Sequence, residues 1–418
     1  MTVAIAYLAL FILAYLAVRF VRSRREAMTD FTSLKTVTFG DESAVRPDRA
    51  ASVISVLVIF LIWGAFTGSA ITPFHVPGPF SGATEFTYTA TDASGATDEA
   101  TVTVVVHPLD QDPVLPEVEA GDGFAANDAL SIAQLRTGRL NVLENDAGDG
   151  LTITQINGQE LVAGAPMSIG DGELLLNPRG ALLFTPAKGW QMEPIWLPAP
   201  EAVFQRLIDI AQDGYQNFTL WAHLGFSLMR VVVGFILGAL VGIPLGYAMG
   251  LSGWFRGWFD PIVEFMRPVP PLALIPLVII WFGIWETGKI VLLFLAALWI
   301  MTIAARAGVS GVNITKIHAA YSLGASKWQI LRHVIIPNSL PEIFTGARVA
   351  MGVCWGTVVA AELVAAQKGA GMMIIAASKF QLTDIVIMGI ILIGVIGYAI
   401  DILMRMAETW LVPWKGRH

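Results

Sequence analysis

Several ionisable residues interrupt long apolar stretches of this 418-residue chain, and they are the first candidates for function. A charged side chain costs about 2.5–3.5 kcal/mol at the centre of a bilayer, so each one needs a reason to be there. The candidates are Arg230, Glu264, Arg267, Arg348 and Glu362. Arg230 could contact an anion if it faced a cavity, whereas an arginine that pairs with a glutamate or extends to the membrane surface would serve only the structure.

Prolines directly follow two of these charges. Glu264 and Arg267 are three residues apart, at the start of a fourth apolar span, and can pair on one helix face. Pro268, Pro270 and Pro271 then prevent regular backbone hydrogen bonding, which a membrane helix tolerates only where protein or a cavity covers it. The pattern predicts a bent helix beside a solute pathway, with a simple turn at the membrane surface as the alternative.

Motifs for covalent chemistry are missing from the sequence. No Gly-x-x-x-x-Gly-Lys-Ser/Thr loop is present to bind phosphates, and no Gly-x-Ser-x-Gly motif presents a nucleophile. No His-Glu-x-x-His pair and no cluster of Cys and His residues indicates a metal site. The single cysteine, Cys354, excludes an intrachain disulfide. The sequence therefore predicts a protein that is not an enzyme, that holds no metal or cofactor, and that leaves any use of ATP to a partner chain.

The composition indicates a membrane protein. Hydrophobic residues make up 55% of the chain and charged residues only 14%, against roughly 25% charged residues in soluble domains. A helix that spans a bilayer needs about 20 mostly apolar residues. We predict an α-helical integral membrane protein with about seven transmembrane helices, at 3–20, 51–72, 224–250, 261–283, 289–306, 343–365 and 385–405. In the sixth of these, Trp355 is either a gate residue or an interfacial anchor.

The distribution of Lys and Arg predicts which loops face the cytoplasm. The loop 19–50 is rich in these residues, so it should lie inside. Alternation then places residues 73–223 outside, in the periplasm, and residues 307–342 and the C-terminus inside. Both of these inside segments are basic, the second through Lys415 and Arg417. The first apolar run has no basic region before it and no cleavage site after it, so we expect a helix there rather than a signal peptide.

Residues 76–195 differ in composition from the rest of the chain. They hold 17 Asp and Glu residues against four Lys and Arg residues, whereas the remainder holds 16 against 22. Three stretches alternate β-branched or aromatic residues with polar ones, at 85–92, 100–107 and 151–157. Turns rich in Asp, Gly and Asn separate them. We therefore predict an inserted all-β sandwich in the periplasm.

This segment resembles the cadherin-like repeats of bacterial surface proteins, in an altered order. Two motifs of the repeat, Asn141–Asp146 and Leu182–Ala187, follow its closing hairpin, Phe86–Val106, instead of preceding it. A circularly permuted repeat would have this order. It would also keep the two ends of an inserted domain together, next to the membrane. An ordinary sandwich with ordinary turns is the alternative.

The acidic residues of the predicted sandwich have two interpretations. Asp92, Asp98 and Glu99 could bind calcium, as in cadherin relatives. Hard cations need six to eight oxygen ligands, and no such set can be assembled here, so a solvated acidic face is favoured. The acidity would repel a free anionic solute. The hypothesis is therefore that the domain docks or orients a binding protein.

Residues 318–337 read HAAYSLGASKWQILRHVIIP and carry the clearest motif. Ala319 and Ala320 present a slim helix surface that can fit a cleft on a partner. Gly324 breaks the helix, so that two short helices can meet at an angle. Pro337 is expected to end the second helix before the chain returns to the membrane.

This motif resembles the cytoplasmic signature of permease subunits of binding-protein-dependent ABC importers. The signature is Glu-Ala-Ala, three residues, Gly, nine residues, then Ile-x-Leu-Pro, and His318 stands here where the family has Glu. The resemblance implies a contact with the ATPase within a coupling loop at 312–342. The contact residues would be His318, Ala319, Ala320, Gly324, Ala325, Lys327, Arg332 and Pro337. A plain basic cytoplasmic loop is the alternative.

The resemblance extends over about residues 196–417. Trp196–Val203, Arg267–Ile275 and Leu411–Gly416 are similar to permeases for taurine, aliphatic sulfonates and nitrate, and the closing Trp-Lys-Gly favours taurine. The family implies a type I importer core in the bacterial inner membrane that moves a small organic anion into the cytoplasm. It also implies a homodimer, two ATPase subunits that bind Mg-ATP and a periplasmic substrate-binding protein, with no nucleic acid as partner.

The predicted organisation has three parts. Residues 1–75 form two transmembrane helices with a basic loop, 76–195 form the β sandwich, and 196–418 form the permease core. A nitrate or other sulfonate permease is the alternative within transport. A membrane-anchored display or adhesion protein that carries the β domain is the alternative from another class.

Overall fold

The structure is a computed structural model of the chain. It describes residues 2–29, 49–109, 111–121, 123–177 and 180–414. Most of the basic loop 19–50, together with Lys415 and Arg417, lies outside these ranges, so part of the predicted orientation falls on residues that are not described. The chain divides into two compact units, Met1–Glu201 and Ala202–His418.

The first unit contains two long helices followed by strands. The helices are α1 (Thr2–Thr29) and α2 (Arg49–Thr67). The strands are β1 (Gly82–Thr91), β2 (Thr97–His107), β3 (Asp128–Ala133), β4 (Gly138–Leu140), β5 (Thr152–Ile156), β6 (Gln159–Glu160), β7 (Pro166–Ser168), β8 (Gly172–Leu176) and β9 (Leu182–Pro186). They form a five-stranded sheet in the order β3-β2-β1-β5-β6 and a four-stranded sheet in the order β4-β9-β8-β7.

The two sheets enclose one apolar core, which confirms the predicted all-β sandwich. The three predicted strands are β1, β2 and β5, and β1 and β2 form a regular antiparallel hairpin. Because side chains alternate between the faces of a strand, Phe86, Tyr88 and Val104 all point inward. Leu174 and Phe184 of the second sheet belong to the same buried core.

The two ends of the β domain meet beside the end of α2. Phe80 donates its backbone N–H to Ala187 O at 2.9 Å, and Met192 donates its N–H to Phe66 O at 2.8 Å. We call this contact, made by Phe66, Phe80, Ala187 and Met192, the neck. Adjacent ends are what a domain inserted after a helix requires. The permuted strand order stays a prediction.

Two of the three calcium candidates, Asp92 and Asp98, bind backbone N–H groups: Asp92 closes the turn after β1, and Asp98 of β2 holds the segment before β3. The third, Glu99, follows Asp98 in β2. Asp92 Oδ1 accepts the backbone N–H of Ser94 at 2.8 Å, and Asp98 Oδ2 accepts that of Ala125 at 2.8 Å. Hydrogen bonds from Ser94 hold the pKa of the Asp92 carboxyl below its ordinary value. Within the described ranges, no group of three or more His, Cys, Asp or Glu side chains is placed to hold a metal ion.

Two other carboxylates, Asp128 and Asp146, lie beside the hydroxyl of Tyr88 in the sandwich. The hydroxyl donates to Asp146 Oδ1 at 2.9 Å, and Asp128 Oδ2 is buried without a hydrogen-bond partner. Burial and then the charge of Asp146 raise the pKa of Asp128 to about 6. The folded domain therefore keeps a proton on Asp128 at a pH where the unfolded chain has lost it.

We expect the free energy of unfolding of the β domain to fall as pH rises from about 4 to about 6. In that interval the folded domain binds more protons than the unfolded chain, because the folded pKa of Asp128 lies above its unfolded value. Asp128→Asn should flatten this dependence and stabilise the domain at pH 7. Amide hydrogen exchange of the strands, measured in the full chain and corrected for intrinsic rates, tests this. The exposed Asp149→Asn is the control and should keep the wild-type slope.

The second unit is a helical bundle. Its long helices are α4 (Leu220–Leu251), α7 (Glu286–Ser310), α10 (Ile336–Ala365) and α12 (Thr383–Leu411). Its shorter helices are α3 (Pro200–Asp213, which begins at the unit boundary), α5 (Gly253–Met266), α6 (Ile275–Phe282), α8 (Ile314–Ser322), α9 (Lys327–Ile330) and α11 (Ala370–Lys379). A 3₁₀ turn, Pro271–Leu274, precedes α6, and a π turn, Leu331–Ile335, joins α9 to α10.

The main packing contact of the bundle joins α4 to α7. Glycines at every fourth position of α4 face α7: Gly234, Gly238, Gly242, Gly246 and Gly250. Each lies against the residue 59 positions later, from Leu293 to Val309, so the two helices run parallel. A Cβ atom on Gly242 would lie 2.7 Å from the carbonyl oxygen of Leu298. The backbones therefore touch, as in other membrane helix pairs with small residues between them.

This parallel arrangement determines the path of α5 and α6, whose axes differ in direction by 93°. The offset of 59 residues places the start of α7, at residue 286, beside residue 227 near the start of α4. α4 ends at residue 251, which is about 36 Å farther along the bundle. The chain between residues 251 and 286 must therefore run back over this distance. If this segment instead stayed at the end of the bundle where α4 ends, α7 would start there and run antiparallel to α4. The α5–α6 pair is therefore a broken span. With the six described helices that are long and apolar enough to cross a membrane, it makes seven spans, as predicted.

The predicted limits of this fourth span, 261–283, are wrong at the start. α5 begins at Gly253, so Glu264 and Arg267 lie at its end rather than at the start of a helix. The predicted bend is confirmed, because the chain turns between α5 and the 3₁₀ turn at Pro268–Pro271. Prolines lack the N–H that would continue the helix, which explains why α5 ends here.

Adding one methyl group at the α4–α7 contact should destabilise the protein. Gly→Ala in a helix is otherwise favourable by about 1 kcal/mol, whereas overfilling a packed contact costs about 1–3 kcal/mol. We expect Gly242→Ala to lower the thermal unfolding midpoint of the purified protein in detergent. Gly225→Ala, in the same helix but with open space at its Cβ position, should raise the midpoint or leave it unchanged. Equal effects of the two substitutions would contradict the close contact.

Candidate functional site

α8 and α9 form a capped helix pair at one end of the bundle, which we call the coupling end. Asn313 Oδ1 accepts the N–H of Thr315 at 2.8 Å at the start of α8. Ser326 and Gln329 form a reciprocal capping box at the start of α9. Gly324 lies between the two helices with φ +79°, a left-handed conformation that glycine adopts without strain. The sequence therefore specifies both helix starts and the turn between them.

The outer face of this helix pair is apolar and open. Leu323 is 88% exposed and Trp328 is 66% exposed. On the inner face, Ile330 and Ile335 are buried with Val309 of α7. A shallow groove lies on the pair, lined by Ala320, Leu323, Gly324, Ala325, Gln329, Ile330, His333 and Val334. The pair is thus fixed to the bundle by one face and presents exposed apolar side chains on the other.

The polar candidates of this segment point outward. His318, Lys327 and Arg332 are exposed, as is Ala319. Lys316, which the sequence analysis did not single out, donates to Asn338 Oδ1 at 2.8 Å and so joins α8 to α10. These candidates are therefore accessible to a partner, and their predicted role in contacting an ATPase stays a prediction.

The expectation that Pro337 ends the second helix is wrong. Pro337 is in the first turn of α10, and the helix is continuous from Lys327 through the π turn to Leu363. In the π turn, Ile336 donates its N–H to Leu331 O, five residues back, so the hydrogen-bond pattern has already shifted where the proline lacks a donor. The segment from α9 to α10 is consequently one helix of 37 residues.

Arg230 of α4 lies at the opposite end of the bundle, which we call the cluster end. Its side chain is 1% exposed. Nε and Nη2 donate to the two carboxylate oxygens of Glu286 at 2.5 and 2.7 Å. Nη1 donates to Glu362 Oε1 at 2.6 Å and to the carbonyl of Lys368 at 2.8 Å. Lys289 Nζ donates to Glu286 Oε1 at 3.1 Å, so two cations and two carboxylates form one buried ion cluster that joins α4, α7 and α10.

Glu362 organises the segment between α10 and α11. Its oxygens accept the Ser227 hydroxyl at 2.8 and 3.0 Å and the Gly371 N–H at 2.9 Å. Ser227 Oγ in turn accepts the Ala370 N–H at 2.9 Å. A Cβ atom on Gly369 would overlap the Glu362 carboxyl, so the segment can approach this closely only with glycine there. The start of α11 is thus fixed by the ion cluster.

Four of the other pathway candidates lie near the bend between α5 and α6. Glu264 pairs with Arg306 of α7 at 2.9 Å and with Arg267 at 3.7 Å. Pro270 and Pro271 form the bend itself. Glu264 and Arg306 therefore join α5 to α7 at the coupling end, far along the bundle from Arg230.

The remaining two candidates lie between α10 and α12. Arg348 pairs with Glu408 and, at 3.7 Å, with Asp401. Trp355 is buried and donates its indole N–H to Ile393 O at 3.0 Å, which is a packing position and not an interfacial one. The predicted set is therefore divided among three places, and only Arg230 and Glu362 share the buried cluster.

Sequence reasoning missed several residues of the cluster. Glu286 and Lys289 lie near the start of a predicted span and were not distinguished from ordinary loop charges. Ser227 and Gly369 carry no signal of their own. The glycine repeat of α4 was readable as five glycines at a spacing of four, but the sequence analysis did not use it.

Two families match this chain. The family described as binding-protein-dependent transport system inner membrane component matches residues 234–412. A family described as bacterial Ig domain matches residues 32–105, a range that includes β1 and most of β2. The second match agrees with the inserted β domain.

Known permeases are similar to the second half of the chain. The taurine transport system permease protein TauC of Escherichia coli is 45% identical over 226 residues, which cover 54% of this chain and 82% of that protein. The putative aliphatic sulfonates transport permease protein SsuC of the same organism is 38% identical over 227 residues, 54% of this chain and 84% of that protein. The nitrate import permease protein NrtB of Synechocystis is 31% identical over 222 residues, 52% of this chain and 81% of that protein.

The chain belongs to the ABC importer permeases of the binding-protein-dependent transport family. Its relatives include taurine, sulfonate and nitrate permeases, and it is accordingly a multi-pass inner-membrane transport component. The β domain is inserted ahead of the part that carries this similarity.

Neutralising Glu362 should destabilise the protein strongly. Removal of one partner of a buried ion pair leaves an uncompensated charge and costs about 3–5 kcal/mol. We expect Glu362→Gln to lower the thermal unfolding midpoint of the detergent-purified protein by many degrees. Glu264→Gln, which removes an exposed ion-pair partner, should cost less than about 1 kcal/mol. A Glu362→Gln protein as stable as Glu264→Gln would refute the cluster as drawn.

Proposed function

We propose that this chain is the permease subunit of an importer that moves a small organic anion, taurine or a related sulfonate, from the periplasm to the cytoplasm. Transport is driven by separate ATPase subunits, which bind Mg-ATP and hydrolyse it. The support for taurine is the 45% identity to a taurine permease, together with the closing Trp-Lys-Gly of the sequence. A nitrate or other sulfonate permease is the second candidate, favoured by the relatives of those names.

The single observation that carries the proposal is the exposed helix pair at the coupling end. Leu323 and Trp328 are large apolar side chains that a free protein would bury, and they flank the groove that contains Gly324 and Ala325. Exposed apolar patches with polar rims mark protein contacts. Lys327 and Arg332 supply that rim. This face is the proposed contact with the ATPase.

The continuous helix from α9 to α10 can transmit a movement from the proposed ATPase contact to the ion cluster. At 1.5 Å per residue its 37 residues extend about 55 Å, from Trp328 at the coupling end to Glu362 in the ion cluster. Movement of an attached ATPase at one end therefore reaches the other end through a single element. ATP drives the change by binding the closed ATPase pair more tightly than the open one, since a ligand shifts an equilibrium only through differential affinity.

The assembly that this implies contains more than one chain. We propose a homodimer of the permease, two ATPase subunits and a periplasmic binding protein that delivers the solute. The coupling end then faces the cytoplasm, and the cluster end and β domain face the periplasm. The basic residues around α8 and α9 agree with this orientation.

The acidic β domain is proposed to dock or orient the binding protein. Deletion of residues 80–192 should then weaken delivery of the solute and raise the solute concentration for half-maximal uptake.

ATP-dependent uptake of labelled taurine into proteoliposomes that contain the whole complex tests the function. Leu323→Ser should weaken ATPase binding about tenfold or more, because burial of a leucine contributes about 1.5–3 kcal/mol. Uptake should fall accordingly. Leu115→Ser replaces another exposed leucine, in the β domain, and should leave ATPase binding unchanged. Full uptake by Leu323→Ser would move the coupling contact elsewhere, and no uptake of any oxyanion by the wild-type complex would contradict import.

A further inference from the structure

The four charged side chains of the ion cluster differ in their access to solvent. The side chain of Glu286 is 47% exposed, whereas those of Arg230, Glu362 and Lys289 are 1%, 0% and 7% exposed. Glu362 also accepts hydrogen bonds from Ser227 and from a backbone amide, so it is fixed on several sides. Glu286 is instead held by the two cations, with its other side open. The Glu362 carboxylate is thus fixed within the protein, whereas the Glu286 carboxylate can move out of the cluster into solvent.

Glu286 covers the one edge of Arg230 that no buried group occupies. The guanidinium directs Nε and Nη2 to the two Glu286 oxygens, and Lys289 directs its ammonium to one of them. Three donor nitrogens from two charged groups therefore converge on one carboxylate. A guanidinium edge and an ammonium at this spacing suit any oxyanion with two oxygens about as far apart as those of a carboxylate.

The surroundings of this position suit an anion with a small apolar tail. Glu286 is the first residue of α7, so the free N–H groups and the positive end of the helix dipole face the same place. Beside it lies a pocket lined by Ile275, Val278, Ile284, Trp285, Lys289 and Leu292. The pocket is apolar except at Lys289. A charged head at the two cations and an alkyl tail against these residues would use both features.

We propose that Glu286 is an exchangeable internal anion, and that the oxyanion group of the transported solute replaces its carboxylate at Arg230 and Lys289. The proposal rests on the import function above and names the group that the pathway recognises: an oxyanion such as a sulfonate, carried on a small alkyl chain. Exchange keeps two cations matched by two anionic groups, so the buried charges are never left unpaired. An analogue that lacks an oxyanion group cannot replace the Glu286 carboxylate, because it would leave the two cations uncompensated.

The exchange also gives the anion an effect on the helices. Glu286 joins the start of α7 to Arg230 on α4, while Arg230 stays attached to Glu362 on α10. An anion that takes its place frees the Glu286 side chain and keeps the α4–α10 connection. The start of α7 is then joined to α4 only through the solute and Lys289, so this contact depends on the solute.

Binding of labelled methanesulfonate to the purified permease, without ATP or binding protein, tests the exchange. Glu286→Gln removes the competing charge, so we expect the dissociation constant to fall about tenfold or more. Adding Lys289→Gln to this variant should cancel the gain, because one of the two cations is lost. Methanesulfonamide, a neutral analogue of the same shape, should not compete in any variant.

Asp401→Asn is the matched control, since Asp401 of α12 also lies between two arginines, Arg348 and Arg405, away from the ion cluster. An unchanged affinity in Glu286→Gln, or an equal gain in Asp401→Asn, overturns the proposal. If Glu286→Gln does not purify as a folded protein, Glu286→Asp is measured instead. Its shorter carboxylate should compete less well and tighten binding by a smaller factor; an affinity equal to wild type then overturns the proposal.

The outcome separates this inference from the import function. A wild-type complex that takes up the oxyanion, with no gain in binding by Glu286→Gln, retains the function and loses the exchange. A permease that shows the predicted gain, in a complex that takes up no oxyanion, retains the anion site and loses the function.

Discussion

The direct backbone contact between α4 and α7 is the constraint on which the rest of the helical unit depends. Five glycines at a spacing of four let the helices touch along their length, with a constant offset that makes them parallel. Because α4 and α7 are parallel, the chain between them must cross the bundle in the opposite direction. α5 and α6 make this crossing, and the prolines after Arg267 allow it to be bent. The same contact separates the ends of the unit. It keeps the starts of α4 and α7, with Arg230 and Glu286, about as far from the coupling helices as the bundle permits.

The ion cluster and the coupling helices both depart from the usual distribution of side chains: the first buries charged groups, and the second exposes large apolar ones. Arg230 and Glu362 are buried at a cost, and buried ion pairs of this kind contribute geometry more reliably than stability. Leu323 and Trp328 are exposed apolar side chains, which are typical of a surface that binds another protein. Trp328 and Glu362 lie near opposite ends of one continuous helix. A single element therefore joins the buried charges to the exposed apolar side chains.

Local features of the sequence were sufficient for much of this architecture. Apolar length identified the spans, alternation identified β1, β2 and β5, and Gly324 identified the turn between α8 and α9. Pro337 misled because its effect depends on the hydrogen bonds before it, and a π turn is not visible in residue types. Glu264 and Arg267 paired as expected, but their neighbour Arg306 comes from a distant helix. The ion cluster needed three-dimensional information for the same reason: its members are separated by up to about 140 residues and meet only after the helices pack.

The neck has a mechanical consequence for the β domain. A domain attached through one flexible strand can swivel, so a force on it is transmitted only as tension. Here two chain segments, one entering and one leaving the domain, lie side by side and are joined by the backbone hydrogen bond from Phe80 to Ala187, and the second is also bonded to Phe66. Such a two-segment connection resists rotation of the domain as well as stretching. A protein that bound the sandwich would therefore exert a torque on the end of α2, and this torque would grow with the distance of the binding surface from the neck.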